Sequence, residues 1–176
     1  MEYKITLKNQ LRALRFLIFG SLLCVVVAWA FYNQVGFDPL VSLSLTIYYL
    51  AFLLIPTAWV HVEYYMMNKD DVFTINPGEK TFSIDGREQF HFNQIDTTIL
   101  VLPPVMYRGS KMSFFPFDHY HYAVIKMRDG KHFIFTSLMA LSVDGVLKEL
   151  GGIQIERKFR FIASPTLYRF WSAVWN

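Results

Sequence analysis

Two long runs without a formal charge constrain this sequence more than any other feature. The first covers residues 16–32 and the second covers residues 40–62. A helix rises 1.5 Å per residue and a bilayer core is about 30 Å thick, so each run is long enough to cross a membrane. The connection at 33–39 contains a glycine and an Asp-Pro pair, which favour a tight turn. The sequence therefore predicts a transmembrane helical hairpin over 16–62.

A cleaved signal peptide is the main alternative for the first run, since a basic stretch precedes it. The end of the run carries Trp29, Phe31 and Tyr32, where a cleavage site needs small side chains. A buried hairpin of a soluble protein would also fit apolar helices, but two charge-free runs of this length make it a poor fit. We therefore expect the hairpin to be retained in the membrane.

Basic residues on one side of the hairpin predict its orientation. Lys4, Lys8, Arg12 and Arg15 precede the first run, and the connection at 33–39 has no lysine or arginine. The positive-inside rule then puts residues 1–15 in the cytosol. Two crossings return the chain to the same side, so both termini of this multi-pass protein are expected to be cytosolic.

Small residues recur at every fourth position of the first run, at Gly20, Cys24 and Ala28. They share one helical face that another helix can approach closely. That face can pack against the second helix of the hairpin or against another copy of the chain. The first alternative is favoured because the partner helix is already in the same chain.

After residue 72 the pattern changes to alternation of polar and apolar residues, which predicts β-strands. Alternating stretches at 80–85 and 88–93 flank Asp85-Gly86, a strong hairpin signal. A further strand is expected at 95–102, where Pro103-Pro104 ends it.

A second hairpin is predicted from strands at 121–128 and 131–136 around Asp129-Gly130. Ser142 is expected to cap a short helix that stops at Gly151-Gly152, and a last strand follows at 153–162. Consecutive hairpins imply a bent antiparallel sheet or partial barrel with one helix on the carboxyl-terminal side. The fold class is thus a membrane α-helical hairpin (16–62) plus a mostly-β cytosolic domain at 63–163, followed by an aromatic amphipathic tail at 164–176.

This order of elements resembles the bacterial pleckstrin-homology-like (PH-like) membrane proteins, in which a transmembrane hairpin precedes a PH-like domain. The resemblance covers about residues 71–161 and is carried by Tyr122–Lys131, Phe133–Met139, the short helix and Glu156–Arg160. It implies a bent barrel capped by a helix, a location in the bacterial cytoplasmic (inner) membrane, and binding of lipids, peptides or proteins without enzymatic activity. The clustered basic residues of phosphoinositide-binding members are not reproduced in the first hairpin, so that activity is not expected.

The sequence contains few residues that indicate a catalytic, metal or nucleic-acid-binding site. The net charge of +3 is too small to indicate nucleic-acid binding, and the single cysteine permits no disulfide within the chain. His119 and His121 would share one face of a strand and are weak candidates for metal ligands, since no third ligand has a fixed spacing. No cofactor and no catalytic residue are expected.

Basic and aromatic residues are the candidate contacts with a partner or with lipid. They lie in the loop after the predicted strand at 95–102, in the last strand and in the tail: Arg108, Lys111, Phe114, Phe115, Phe117, Arg157, Lys158, Arg160, Arg169, Trp171 and Trp175. The opposing interpretation is an ordinary solvated edge strand whose charges discourage aggregation. The tail itself is expected to make an interfacial or subunit contact, although covering an edge of the barrel is an equal alternative.

The leading functional hypothesis is a non-enzymatic, membrane-anchored scaffold or binding module. Its PH-like domain would contact a protein partner or another copy of itself, next to membrane lipid at the inner leaflet. The alternative is a sensor of anionic lipid surfaces that uses the local basic and aromatic residues. A metal-dependent enzyme at the two histidines is the third and least favoured hypothesis.

Overall fold

The computed structural model describes residues 1–36, 38–109, 115–140, 142–151 and 153–167. The helical part begins with α1 at Leu7–Val35, which Thr6 caps by accepting a hydrogen bond from the Asn9 backbone N–H. After a short turn, Asp38 caps the next helix in the same way, and Pro39 occupies its first turn. The second helical stretch consists of α2 (Pro39–Tyr48), a π-helical segment (Tyr49–Leu54) and α3 (Ile55–Asn68).

The π-helical segment lies directly before Pro56. A proline inside a helix has no N–H to donate and crowds the preceding turn. Here the backbone N–H of Ile55 donates to the carbonyl of Leu50, five residues earlier. This hydrogen bond closes a wider ring than the bond to the fourth preceding residue in an α-helix. The helix therefore passes the proline without breaking, and it runs from Pro39 to Asn68 as one rod.

Eight strands build two four-stranded sheets. In chain order they are β1 (Glu2–Tyr3), β2 (Phe73–Asn76), β3 (Thr81–Ile84), β4 (Glu88–His91), β5 (Ile95–Leu102), β6 (Tyr122–Met127), β7 (His132–Thr136) and β8 (Ile155–Phe159). The first sheet has the order β1-β2-β3-β4 and the second has the order β7-β6-β5-β8. Two short helices complete the domain, α4 at Pro104–Tyr107 and α5 at Val143–Glu149, with a 3-10 segment at Pro116–His119 before β6.

Both predicted hairpins are present. Residues 85–87 connect β3 to β4, and Asp85 and Gly86 have φ values of 55° and 64°, the left-handed conformation that Asp and Gly tolerate in such turns. Ser142 caps α5 through its side chain, which accepts a hydrogen bond from the Gly145 N–H at 3.0 Å.

The prediction of a wholly antiparallel sheet is wrong in one place. The predicted last strand is present as β8, but β8 pairs parallel with β5, with Thr98 opposite Ile155. The reason is that α5 crosses over the core after β7 and returns the chain to the free edge of β5, where it runs in the direction of β5. The second sheet is therefore mixed.

The amino end belongs to the β-domain. The sequence suggested a separate basic segment at 1–15, but Glu2 pairs with Thr74 and Tyr3 pairs with Phe73, which makes β1 an edge of the first sheet. The whole helical hairpin is thus inserted between the first and second strands of one sheet. Both ends of the hairpin are tied to the same domain.

The second sheet buries both of its faces. Alternating residues of β5 point in opposite directions, so Leu100 and Leu102 enter the core between the sheets, while Ile99 and Val101 enter a second core on the outer side. This arrangement explains why the second half of β5, Ile99 to Leu102, is continuously apolar instead of alternating. The second core is covered by α3, through Val60 and Tyr64.

Candidate functional site

Buried side chains and hydrogen bonds hold α3 against the second sheet. Thr57, Val60, Tyr64 and Asn68 recur every three or four residues on one face of α3, and all four are buried. The Tyr64 hydroxyl donates to the carbonyl of Ala163 at 2.6 Å. One face of the helix therefore serves as the outer layer of the β-domain.

Aromatic side chains fill this junction. The ring of Tyr64 meets the rings of Tyr120 and Tyr122 edge-on, with centroids 5.3 Å and 6.1 Å apart. The hydroxyl of Tyr120 also lies 2.8 Å from Nδ1 of His61 on α3. Burial raises the pKa of Tyr120, so its hydroxyl keeps its proton at any physiological pH.

The 3-10 segment lies between the two helices. His119, at its end, stacks on Phe16 of α1, while the next residue, Tyr120, contacts α3. The guanidinium carbon of Arg15 lies over the Phe16 ring, 4.5 Å from the ring centre. Burial and the nearby Arg15 charge both lower the pKa of His119.

The carboxyl-terminal segment returns to α3. Oε1 of Glu63 accepts hydrogen bonds from the Ser164 hydroxyl, at 2.8 Å, and from the Thr166 backbone N–H. Ser164 in turn caps the turn that follows, because its Oγ accepts from the Leu167 N–H at 3.2 Å. The first residues of the predicted tail are therefore anchored on the helix, and the tail from Tyr168 onward lies outside the described residues.

The two candidate metal ligands do not converge on one point. The side chain of His121 is buried, and its Nδ1 lies 3.1 Å from the His119 carbonyl, whereas the His119 ring faces Phe16. Because a carbonyl can only accept, Nδ1 of His121 carries the proton. Within the described part of the chain, no three His, Cys, Asp or Glu side chains are grouped so that they could hold a metal ion.

The basic residues of β8 are largely neutralised by neighbours. Arg157 donates to Asp144 on α5 at 3.1 Å, and Lys158 pairs with Glu156 at 3.3 Å. The hydrogen bond from Lys148, and then that from Arg157, lowers the pKa of Asp144. Arg160 and Arg108 are exposed at the end of β8 and of α4. Sequence reasoning grouped these cations, but it could not find the acidic partner that α5 supplies.

The aromatic candidates differ in exposure. Phe117 is only 5% exposed and stacks on Phe115 with centroids 5.1 Å apart, so it belongs to the second core. The exposed aromatic residues nearby are Tyr107, Phe159 and Phe161, none of which the sequence pattern singled out. The other candidates lie outside the described residues: Lys111, Phe114, Arg169, Trp171 and Trp175.

The small residues of α1 lie on the side that faces the second helical stretch. A Cβ atom added at Gly20 would be 3.8 Å from Cδ1 of Leu53, and the next residue, Ser21, hydrogen bonds to the Tyr49 hydroxyl at 2.8 Å. Farther from the domain the two helices leave a groove of about 380 Å³, which Cys24 and Ala28 line.

Two four-stranded sheets around a core, with a helix following the last hairpin, define the class of the domain as mostly β. A family model described as PH domain matches residues 2–144, which reach from β1 to the start of α5. The chain therefore belongs to the PH-domain family, and the matched region includes the helical hairpin. No curated protein and no solved structure matches the chain.

Two helical stretches, Leu7–Gln34 and Pro39–Asn68, are long and apolar enough to cross a membrane by length and composition. Most of their large apolar side chains point outward, away from the protein.

Proposed function

We propose that the protein is a non-enzymatic, membrane-anchored binding module, in which two helices hold a PH domain rigidly against the cytosolic leaflet. The observation that carries the proposal is the continuity of the second helical stretch. From Pro39 to Pro56 the side chains of this helical stretch are mostly apolar and point outward. From Thr57 onward one face of the same stretch is buried against the β-domain and covers its second sheet. In this proposal a packed helix, and not a flexible linker, joins the membrane segment to the domain.

The contacts of the domain support a particular level for the membrane surface. Phe16 touches the domain and follows the last charged residue of α1, and Thr57 is the first buried residue of α3. Between these points and the facing helix ends at Val35 and Pro39, each helix has about 18–20 residues, enough for about 30 Å of hydrocarbon. The membrane segment of the second rod would then end near Pro56, and residues 57–62 would belong to the domain.

The cytosolic orientation rests on the distribution of cations. The end of α1 that is near the domain carries Lys8, Arg12 and Arg15. The connection at the other end of the helix has no basic residue. By the positive-inside rule, the domain side is cytosolic. The module would bind a protein partner or a second copy there, as PH domains commonly bind lipids or proteins.

The test uses the full chain expressed in bacterial cells. The protein should stay in the pellet after alkaline carbonate extraction, and a reporter that is active only outside the cytosol should give no signal when fused after Asn176. Val26→Arg should release part of the protein, because a cation at the bilayer centre costs about 2.5–3.5 kcal/mol. His132→Arg, at an exposed site on the domain, is the matched control. Complete release of the wild-type protein, or a strong reporter signal, would contradict the proposal.

A second candidate function is contact of the domain with the lipid surface, favoured by one cluster of rings. Tyr107 lies 6.1 Å from Phe159, and the exposed Phe161 lies 6.0 Å from Phe117, with the cations Arg108 and Arg160 close in sequence. Aromatic rings and arginines suit the headgroup layer, where each cation gains about 1 kcal/mol from anionic lipid.

Fluorescence quenching would test this contact. In a Cys24→Ala background, a bimane label at Phe161→Cys should be quenched by lipids spin-labelled on the headgroup in reconstituted vesicles. A label at Glu79→Cys, in the exposed β2–β3 turn, should not be quenched. Equal quenching at the two sites, or quenching at Glu79→Cys alone, would rule the contact out.

A further inference from the structure

The helical hairpin contains a groove in its half that is remote from the β-domain, and we call it the hairpin groove. It begins at the turn, where Gly36 and Asp38 line it, and it ends at Ser21 and Tyr49. The hydroxyls of Ser21 and Tyr49 lie 2.8 Å apart and join the two helices. The groove therefore occupies the space between this contact and the turn.

The walls of the hairpin groove suit an apolar occupant. Most of the lining side chains are apolar, among them Val25, Phe31, Val41 and Leu45. The hydroxyl of Thr46 donates to the carbonyl of Ser42 at 2.8 Å, and that of Ser21 donates to the carbonyl of Leu17 at 2.7 Å. These two hydroxyls use their protons within their own helices, so they have none to donate to a ligand.

The depth of the groove matches one leaflet, if the membrane extends from Phe16 to the turn, a placement that rests on the proposed function. The helix rises about 15 Å from Pro39 to Tyr49 and about 21 Å from Ser21 to Val35. Half of the hydrocarbon core is about 15 Å thick. The groove therefore extends over about the length of one acyl chain, in the leaflet remote from the domain.

The volume of the groove distinguishes between a lipid chain and a helix. A helix is at least 10 Å in diameter with its side chains, so 15 Å of helix fills roughly 1,200 Å³. A hydrocarbon chain is about 4–5 Å wide, because its carbon atoms contact neighbours at 3.5–4.0 Å, and 15 Å of it fills roughly 200–300 Å³. The groove holds about 380 Å³. It therefore has room for one acyl chain but is too small for a helix of another chain to enter.

A carboxylate lies at the end of the groove that faces the membrane surface. Oδ1 of Asp38 accepts hydrogen bonds from the backbone N–H groups of Leu40, at 2.8 Å, and Val41, at 3.2 Å, which hold the carboxylate in place. The sequence from residue 16 to residue 68 contains no lysine or arginine, so the hairpin supplies no cation for this carboxylate. A positively charged group at this end of the groove would be attracted, and a negatively charged group would be repelled.

We propose that the hairpin groove binds one acyl chain of a phospholipid whose head group carries an ammonium, and that this ammonium pairs with Asp38. Phosphatidylethanolamine has both features. Its chain fills the space where the two helices do not touch, and its ammonium supplies the cation that the hairpin lacks. Phosphatidylglycerol has a similar chain, but its head group has a net negative charge and no ammonium, so it binds less well beside Asp38.

Native mass spectrometry of the full chain, released from nanodiscs of equal parts phosphatidylethanolamine and phosphatidylglycerol, tests the groove. The wild-type protein should retain one phospholipid per chain, chiefly phosphatidylethanolamine. Ala28→Phe places a ring in the groove and should abolish retention, and Ser42→Phe does the same from the other helix. Val26→Phe, at an exposed position that does not line the groove, is the matched control and should retain the lipid. A wild-type protein without lipid, or equal retention by all three variants, would overturn the proposal.

The head group is tested by Asp38→Asn, because asparagine caps a helix as well as aspartate does but has no charge. The variant should still retain one lipid, and its ratio of phosphatidylethanolamine to phosphatidylglycerol should fall by about two- to fivefold, the effect of one exposed ion pair. Asp129→Asn, in the exposed β6–β7 turn, is the control and should keep the wild-type ratio. An unchanged ratio in Asp38→Asn would overturn the proposal. Carbonate extraction of the same proteins shows separately whether the membrane anchoring itself fails.

Discussion

The ring of Phe16 stacks on the imidazole of His119, with the centroids 3.8 Å apart and the planes within 9° of parallel. This contact joins the first helix to the 3-10 segment, and Tyr120 joins the same segment to α3. The segment therefore separates the helices at the domain end and holds both. In the proposed membrane-anchored protein, it is the place where the helices and the PH domain become one rigid body.

Tyr64 should contribute more to the stability of the protein than any outward residue of α3. It is fully buried among aromatic rings, so Tyr64→Ala should lower the free energy of unfolding by about 3–5 kcal/mol. Tyr64→Phe removes only the hydrogen bond to Ala163 and should cost about 1 kcal/mol. Denaturant titration in detergent micelles measures both. Trp59→Ala, on the exposed face of the same helix, is the control and should change stability little; a comparable loss there would refute this account of the junction.

Stability should fall as the pH is lowered through the range in which His121 would bind a proton. Burial lowers the pKa of His121 to about 4, from about 6.5 in the unfolded chain. The unfolded state therefore binds more protons between these values, and the stabilisation present above pH 6.5 is lost progressively toward pH 4. Thermal unfolding from pH 7 to pH 4 should show a shallower decline for His121→Gln than for the wild type. His132→Gln, at an exposed site, should follow the wild-type curve, and an unchanged slope in His121→Gln would contradict the assignment.

The first strand should stabilise the domain although it has only two residues. The Tyr3 hydroxyl donates to Glu149 of α5 at 2.8 Å, and the Tyr3 ring meets Phe135 edge-on at 5.8 Å. Tyr3→Ala should therefore reduce the unfolding free energy by roughly 1–3 kcal/mol, since the residue is only partly buried. Hydrogen exchange should become faster at the paired strand β2. Lys4→Ala, whose side chain is exposed, should leave exchange in β2 unchanged, and equal protection in Tyr3→Ala would show that β1 is not needed.

The tail from Tyr168 onward should be dispensable for folding. The residues just before Tyr168 are needed for folding, because Ser164 is buried and its hydroxyl is hydrogen bonded to Glu63. A chain ending at Leu167 should therefore unfold at nearly the same temperature as the full chain, whereas one ending at Phe161 should be less stable. Differential scanning fluorimetry in detergent would compare them. A large loss of stability from the shorter deletion would make the tail part of the core and contradict its expected interfacial or subunit role.

Local signals predicted much of the fold. The bounds of β5 follow from its apolar run and the Pro-Pro pair after it, and the β3–β4 turn follows from Asp85-Gly86. The short helix follows from its Ser142 cap. In each case the residues that form the element also determine where it ends, so a single sequence contains the information.

What depends on distant pairing could not be predicted. The strand β1 has too few residues for a period, and it exists only because β2 offers an edge after two helices have intervened. The parallel pairing of β8 depends on the path of α5. The continuous apolar run at 99–102 in β5 did hold a clue to the junction, because a stretch of strand that is apolar on both faces needs a second covering layer.

The candidate site shows the same difference between features that local sequence predicts and features that depend on distant contacts. Basic residues can be counted from a sequence, but the pairing of Arg157 with Asp144 requires that β8 pass beside α5. The exposed Phe159 and Phe161 gain significance only from their positions beside Tyr107 and Phe117.

The claim that the helices and the PH domain form one rigid body can be measured directly. Spin labels at Trp59→Cys on α3 and at Glu79→Cys in the β2–β3 turn, in the Cys24→Ala background, report the distance between helix and domain by double electron–electron resonance. Labelled protein would be reconstituted in lipid nanodiscs and diluted with unlabelled protein, so that only distances within one chain contribute. We predict one narrow distance distribution, and Tyr64→Ala should broaden it. A broad distribution in the wild-type protein would mean that the domain moves freely on its helices and would contradict the account.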